Sequence, residues 1–166
     1  MLDVLTIGDE MLRTNTKPIK TFGGEIRLLA DAMVETMHAE DGIGLAGPQV
    51  GVLKRIFVTH VSNDEPRVYI NPEILESSED AVEYEEGCLS VPGVYAPVAR
   101  PSRVKVQAQD VEGKVFTLNA DGLLARVIQH EYDHLRGVLF VDRLDEETRN
   151  RVLEVYKRRS RKYKGR

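Results

Sequence analysis

The chain has 166 residues, 42% hydrophobic and 30% charged, with a formal net charge of −4. That length fits one domain with room for a proper core, and the composition is that of an ordinary soluble protein. No apolar run approaches the roughly 18 to 20 residues of a membrane span, Met1-Leu2-Asp3-Val4-Leu5-Thr6 lacks the basic flank and apolar core of a signal peptide, and the lone cysteine excludes an internal disulfide.

A reducing cytoplasm is therefore the expected setting. The charge is uneven: residues 145–166 hold nine Lys or Arg against four Asp or Glu, and the rest holds 14 against 23. An acidic body carries a basic tail, and no DNA partner is expected of basic residues gathered in one tail instead of on a folded face.

From the N-terminus, residues 1–22 read as irregular, with one helical turn at Asp9–Arg13 and a break at Pro18. Gly23-Gly24 opens a predicted helix to about His38. Ile26, Leu29, Met33 and Met37 recur on one face of it, and such a stripe reads as core. Residues 42–51 then carry four glycines, at 42, 44, 47 and 51. No Gly-Lys-Ser/Thr follows, which excludes a P-loop, and no strand precedes, which disfavours a dinucleotide fingerprint. A loop or short strand that meets a ligand with bare backbone is the functional reading, and a plain connector is the bland one. Lys54–Val61 is a predicted strand. Val68–Ile70 is a second, closed by Asn71-Pro72, and Glu73 to Glu85 reads as an acidic, exposed strand pair or loop. His38 and His60 read as structural or surface residues.

Arg103–Gln109 and Lys114–Leu118 alternate around Asp110-Val111-Glu112-Gly113, a hairpin signature. A helix starts near Ala120-Asp121, capped by Asn119 or Asp121, and stops at Gly137. Its apolar stripe is Leu123, Leu124, Val127, Ile128 and Leu135. Val138–Val141 is a short apolar run, and Asp145 caps a last helix with Val152, Val155 and Tyr156 as its apolar positions. From Lys157 onward the chain is too charged to pack. The expected organisation is one folded unit, 1–156, and a basic tail, 157–166. The expected fold is α+β, with antiparallel β-sheets around a central metal-binding helix and with N-terminal and C-terminal helices.

The central helix contains Gln129-His130-Glu131-Tyr132-Asp133-His134. His130 and His134 are four apart, so both project from one face and together can hold a metal ion. Glu131 is placed to take a proton from water without being a ligand. A catalytic metal site needs a third protein ligand. The metzincin spacing places Phe140 there, which cannot ligate. A downstream Glu154 would give a gluzincin-type metallopeptidase. Cys88, in the glycine-bounded Glu86-Gly87-Cys88-Leu89-Ser90, is the better candidate, although a lone cysteine on its own reads equally well as buried packing. An RNA-binding protein with a structural metal is a weaker rival, because no fourth ligand with motif context closes the site.

Gly42-Ile43-Gly44-Leu45-Ala46-Gly47-Pro48-Gln49, Glu86-Gly87-Cys88-Leu89-Ser90 and Gln129-His130-Glu131-Tyr132-Asp133-His134, in this order, resemble peptide deformylase of the bacterial type. The likeness runs from about Leu5 to Leu144. It implies a hydrolase that removes the formyl group from the N-terminal formyl-methionine of nascent polypeptides. It implies one divalent metal ion per chain, Fe²⁺ in the cell, with Zn²⁺, Ni²⁺ or Co²⁺ able to take its place. By position, Cys88, His130 and His134 would hold the metal and Glu131 would be the general base. Gln49 and the Leu89 backbone N–H would steady the formyl oxygen. Ile43, Gly44 and Leu45 would meet the substrate, and Val127 would line the methionine pocket. The expected partners are N-formylmethionyl nascent peptides and, through the basic tail, the ribosome, with no membrane. Three departures from the family pattern stand out. Gly47 replaces the usual Ala before Pro48, which would loosen that loop. Tyr95 stands where some members carry a basic residue, and Glu10 where a proline is common. Glu86 is expected to pair with Arg100 to hold the Cys88 turn.

Overall fold

The computed structural model describes residues 1–164, with side chains through Ser160. The N-terminal arm holds one 3₁₀ turn, Glu10–Arg13, whose first free N–H groups are met when Met11 N donates to Asp9 Oδ1. Helix α1, Gly24–Ala39, buries Ile26, Ala30, Met33 and Met37 as the methionine stripe requires, with Leu29 partly buried. Strand β1 is Gly44–Ala46 and runs into a 3₁₀ turn at Gly47–Val50. Strands β2, Ile56–Thr59, and β3, Arg67–Ser77, follow. Then come β4, Val82–Cys88, β5, Val91–Arg100, β6, Arg103–Gln109, and β7, Val115–Asp121. Helix α2 is Gly122–His134, and α3 is Glu146–Lys164. All strand pairings are antiparallel. One sheet has the order β1-β2-β3-β6-β7, and β4 and β5 form a separate two-stranded sheet.

The structure differs from the elements expected of the sequence at Asn71-Pro72, β5 and Asp121. Asn71-Pro72 does not end β3. Asn71 adopts φ 50° and makes a bulge where the register against β6 shifts. Its side chain accepts from Ile19 N and donates to the Ile19 carbonyl, both at 2.8 Å, which ties the N-terminal arm across the sheet. Strand β5 escaped the reading because Pro92, Gly93 and Pro97 look like turn residues. A strand in a two-stranded sheet has a free edge, where a missing N–H costs nothing. From Val94 onward its buried positions, Val94, Ala96, Val98 and Arg100, nevertheless alternate strictly. Asp121 precedes α2 as expected, but its side chain caps nothing. Asp145 does cap α3, with Thr148 N donating to its Oδ1 at 2.8 Å.

Helix α2 lies between the two sheets. Ala125, Ile128 and Leu135 join Phe57, Tyr69, Val104 and Val106 in a core against the large sheet. The opposite side meets the β4–β5 hairpin through polar side chains. Leu123 is the exception to the predicted stripe, 39% exposed at a cleft mouth, and Leu124 is partly buried. Gly137 stops the chain after α2 with φ 75°, and a side chain there would meet the Arg13 backbone at 2.7 Å. Helix α3 packs on β5, burying Val152 with Val91, Val94 and Phe140. It runs past the boundary expected after Tyr156; Lys157, Arg158 and Arg159 stay exposed, and Arg159 donates to the Gly93 carbonyl. Residues 165 and 166 of the expected tail lie outside the described residues. Among the described residues, no helix is long and apolar enough to cross a membrane.

Candidate metal centre

Cys88 comes from the end of β4, where the register against β5 shifts. His130 and His134 come from successive turns of α2. One ligand atom from each of the three lies within 4.8 Å of the others. Both histidines are buried and Cys88 is partly so. Cys88 Sγ is 3.4 Å from His134 Nε2 and also receives the Ser90 backbone N–H at 3.4 Å. His130 Nδ1 donates to Glu86 Oε1 at 2.9 Å, which leaves Nε2 as its acceptor atom. His38 and His60 lie elsewhere. His60 Nε2 donates to the Asp64 carbonyl, so its Nδ1 accepts from His38 Nε2 at 2.8 Å.

Cys88 and His130 line a cleft of about 560 Å³ together with Ile43, Gly44, Gln49, Leu89, Val127 and Glu131, and His134 is fully buried beside them. Gln49 is buried with a fixed amide. Its Oε1 accepts from Ala46 N at 2.9 Å, and its Nε2 donates to Ser90 Oγ at 3.1 Å, 3.6 Å from Cys88 Sγ. Gly44 lies against the catalytic candidates, because a Cβ there would be 2.4 Å from Glu131 Oε2 and 2.8 Å from Val127 Cγ1. Leu45 turns its side chain away from the cleft. Its side chain is fully buried with Met33 and Met37 and does not line the cleft, so only its backbone, on the edge strand β1, is placed to meet a ligand. Gly47 is buried too, and a Cβ there would meet the Val52 and Lys54 carbonyls at 2.6 and 2.9 Å. The glycine closes this loop tightly, contrary to the loosening expected of it.

The sequence profile of the family described as Polypeptide deformylase matches residues 1–150. The chain belongs to the polypeptide deformylase family. A peptide deformylase of Chromobacterium violaceum is 50% identical over 161 residues, covering 96% of each chain. That of Azotobacter vinelandii is 49% identical over 165 residues, covering 98% of each. Among solved structures, a peptide deformylase from Synechococcus elongatus in complex with actinonin superposes with a TM-score of 0.88 at 45% identity. It covers 92% of this chain and 86% of the other. The Ehrlichia chaffeensis peptide deformylase gives 0.91 at 39% identity, covering 98% of both.

Deformylases are metal-dependent, and the residues here fit a cation. The two buried side-chain polar atoms without a partner, among the described residues, are Glu131 Oε1 and His134 Nδ1, both on the helix that bears the motif. Burial pushes the Glu131 carboxyl up to about 7, against the pull of His130. Burial and the neighbouring His130 hold His134 well below its ordinary range, in the neutral form a ligand needs. Burial also opposes charge on His130, yet Glu131, Cys88 and Glu86 outweigh it and raise that group well above its ordinary range.

Glu86 anchors the surroundings. Burial opposes its charge, but the His130 and Arg100 bonds hold its carboxyl at about 2. The expected pairing with Arg100 is present at 2.6 and 3.0 Å, and Arg100 NH1 also reaches Asp133 at 3.0 Å. The sequence reading missed Asp133 and Arg126. The available signal was a charged residue one turn before His130, inside an otherwise apolar stretch of helix. Glu154 is 55% exposed on α3 and pairs with Arg158 at 3.4 Å. It is absent from the cluster, and the metallopeptidase alternative loses its third ligand.

Proposed function

We propose that this chain removes the formyl group from N-formylmethionyl nascent polypeptides with Cys88, His130 and His134 as ligands of one divalent ion and Glu131 as general base. The observation that carries the reading is the convergence of one thiol and two imidazoles beside a buried carboxyl with an unpartnered oxygen. When bound, the metal would polarise the formyl oxygen and lower the pKa of water at the site. Glu131 Oε1 takes a proton from that water and Glu131 delivers it to the leaving amine. Gln49 Nε2, held by Ala46 and Ser90, and the Leu89 backbone N–H aim their dipoles where negative charge develops on the formyl oxygen. Ile43, Gly44 and the backbone of Leu45 meet the substrate, and Val127 lines the pocket for its methionine.

The thiolate makes the donor set soft, which suits Fe²⁺ in the cell and accepts Zn²⁺, Ni²⁺ or Co²⁺. It also makes the site sensitive to oxygen. The reading places the enzyme in the bacterial cytoplasm as one catalytic unit, 1–156, followed by a basic segment that docks on the ribosome. The test of the ligand set is Cys88→Ala. Its metal content after gel filtration should fall well below the wild-type value, and full occupancy in that variant contradicts the set.

A further inference from the structure

Arg126 takes no part in the chemistry above, yet it is only 8% exposed. A guanidinium is costly to bury unless its donors are met, and here three acceptors meet them. NH1 donates to Glu86 Oε2 at 2.7 Å and to the Val98 carbonyl at 2.8 Å, and NH2 donates to the Val82 carbonyl at 2.6 Å. The Tyr84 ring covers it, with its centroid 5.5 Å from the guanidinium carbon. Arg126 and His130 are one turn apart on α2, so both reach the same carboxylate. Glu86 Oε1 accepts from His130 Nδ1 and Arg100 NH2. Oε2 accepts from Arg100 Nε and Arg126 NH1. A carboxylate offers about four lone-pair positions, and all four are used.

We propose that Arg126 is a positioning residue for the metal centre. It acts through Glu86 on His130 and fastens the hairpin that bears Cys88 to the helix that bears both histidines. The role rests on the ligand set proposed above. Those ligands come from two elements, so the centre is preformed only while β4 and α2 keep their spacing. Arg126 holds a carbonyl on β4, a carbonyl on β5 and the carboxylate of Glu86 at once. Saturated in this way, the carboxylate cannot turn without losing bonds. It keeps the hydrogen of His130 on Nδ1 and Nε2 turned to Cys88 and His134. Without Arg126, two strand carbonyls lose their donor and Oε2 keeps only Arg100.

The test is zinc affinity by chelator competition on the folded wild type, Arg126→Met and Arg126→Lys, with circular dichroism and thermal midpoints of the zinc-free forms alongside. Arg126→Met keeps the stem and removes every donor, and its affinity should fall by ~10- to 100-fold. Arg126→Lys keeps one charged donor but not the fork, and should fall between that and wild type. A merely structural staple would lower the thermal midpoint and leave the zinc affinity of the folded chain within about twofold, which overturns the role. If Arg126→Met does not fold, Arg126→Lys decides: a drop of about fivefold or more supports the role, and less than about twofold overturns it. Wild type and Cys88→Ala run in parallel separate the two readings. A wild type that takes up no zinc overturns the ligand set and this role together. Zinc uptake that is lost in Cys88→Ala and unchanged in both Arg126 variants overturns the role alone.

Discussion

Gly44 and Glu131 compete for the same space. A Cβ on Gly44 would lie 2.4 Å from Glu131 Oε2, so the bare backbone is what admits the carboxyl to the cleft floor. Gly44→Ala should cut kcat/KM for a formylated peptide by about 10²-fold, since a small displacement of a reacting group can cost that much. Metal content should stay at the wild-type value, and a variant within threefold of wild type would remove the close approach from the account. Glu131→Ala should keep the metal and lose ~10²–10⁴ in kcat, the range of a general base, when formate release and metal content are read on one sample. Metal loss in that variant would make Glu131 a ligand. Away from the centre, hydrogen bonds from Ser102 and Ser78 hold the Asp80 carboxyl at about 2, below the ordinary 3.8. A lowered folded-state pKa adds stability above about pH 4 and loses it as the pH falls towards 2. The gap in urea midpoint between wild type and Asp80→Asn should therefore be widest near neutrality and close between pH 4 and 2. A gap that ignores pH assigns the effect to something other than this carboxylate. At this scale the donor types and the i, i+4 spacing of His130 and His134 were legible, because helix geometry alone puts them together. The Glu86–Arg100 pair was legible as well, but the arrival of Arg126 at the same carboxylate was not, because it depends on which carbonyls of β4 and β5 face α2.

Element types followed from local pattern where the pattern was clean. The methionine stripe of α1, the β6–β7 hairpin and the Asp145 cap are all determined by nearby residues. The misses fall where tertiary context overrides local signals. Asn71-Pro72 becomes a bulge because Ile19 and Gln109 satisfy its side chain. Strand β5 tolerates two prolines because one edge is unpaired. Leu45 belongs to the core because β1 is covered on one side by α1. The large sheet gives a test of packing. Tyr69 is fully buried, stacks on Phe57 at 4.5 Å and shares a hydrogen bond with Thr59 at 3.0 Å. Tyr69→Phe keeps the stack and leaves the Thr59 hydroxyl unpaired, costing about 1 kcal/mol. Tyr69→Ala opens a cavity and should cost ~3–5 kcal/mol. Equal losses in the two variants by urea denaturation would show that the stack contributes nothing.

Seen whole, the molecule is a helix held between two sheets, with one of the three proposed metal donors delivered by the small sheet and two by the helix. The large sheet supplies the core, and its edge strand β1 walls the cleft. Helix α3 sits outside and carries the basic charge that the sequence showed. Deleting residues 157–166 removes the Arg159 contact to Gly93 and most of that charge. Hydrolysis of a short formylated peptide should stay within a few-fold of wild type, while ribosome binding should weaken and lose its salt dependence. Unchanged ribosome binding would leave the basic segment as a solvated helix end. Deformylation is the reaction proposed for the Cys88, His130 and His134 centre. The direct measurement is formate release from a formyl-Met tripeptide by protein purified without oxygen, with metal counted on the same sample. Robust release with about one metal per chain is the expected result, and fully metallated protein that releases no formate would contradict the assignment.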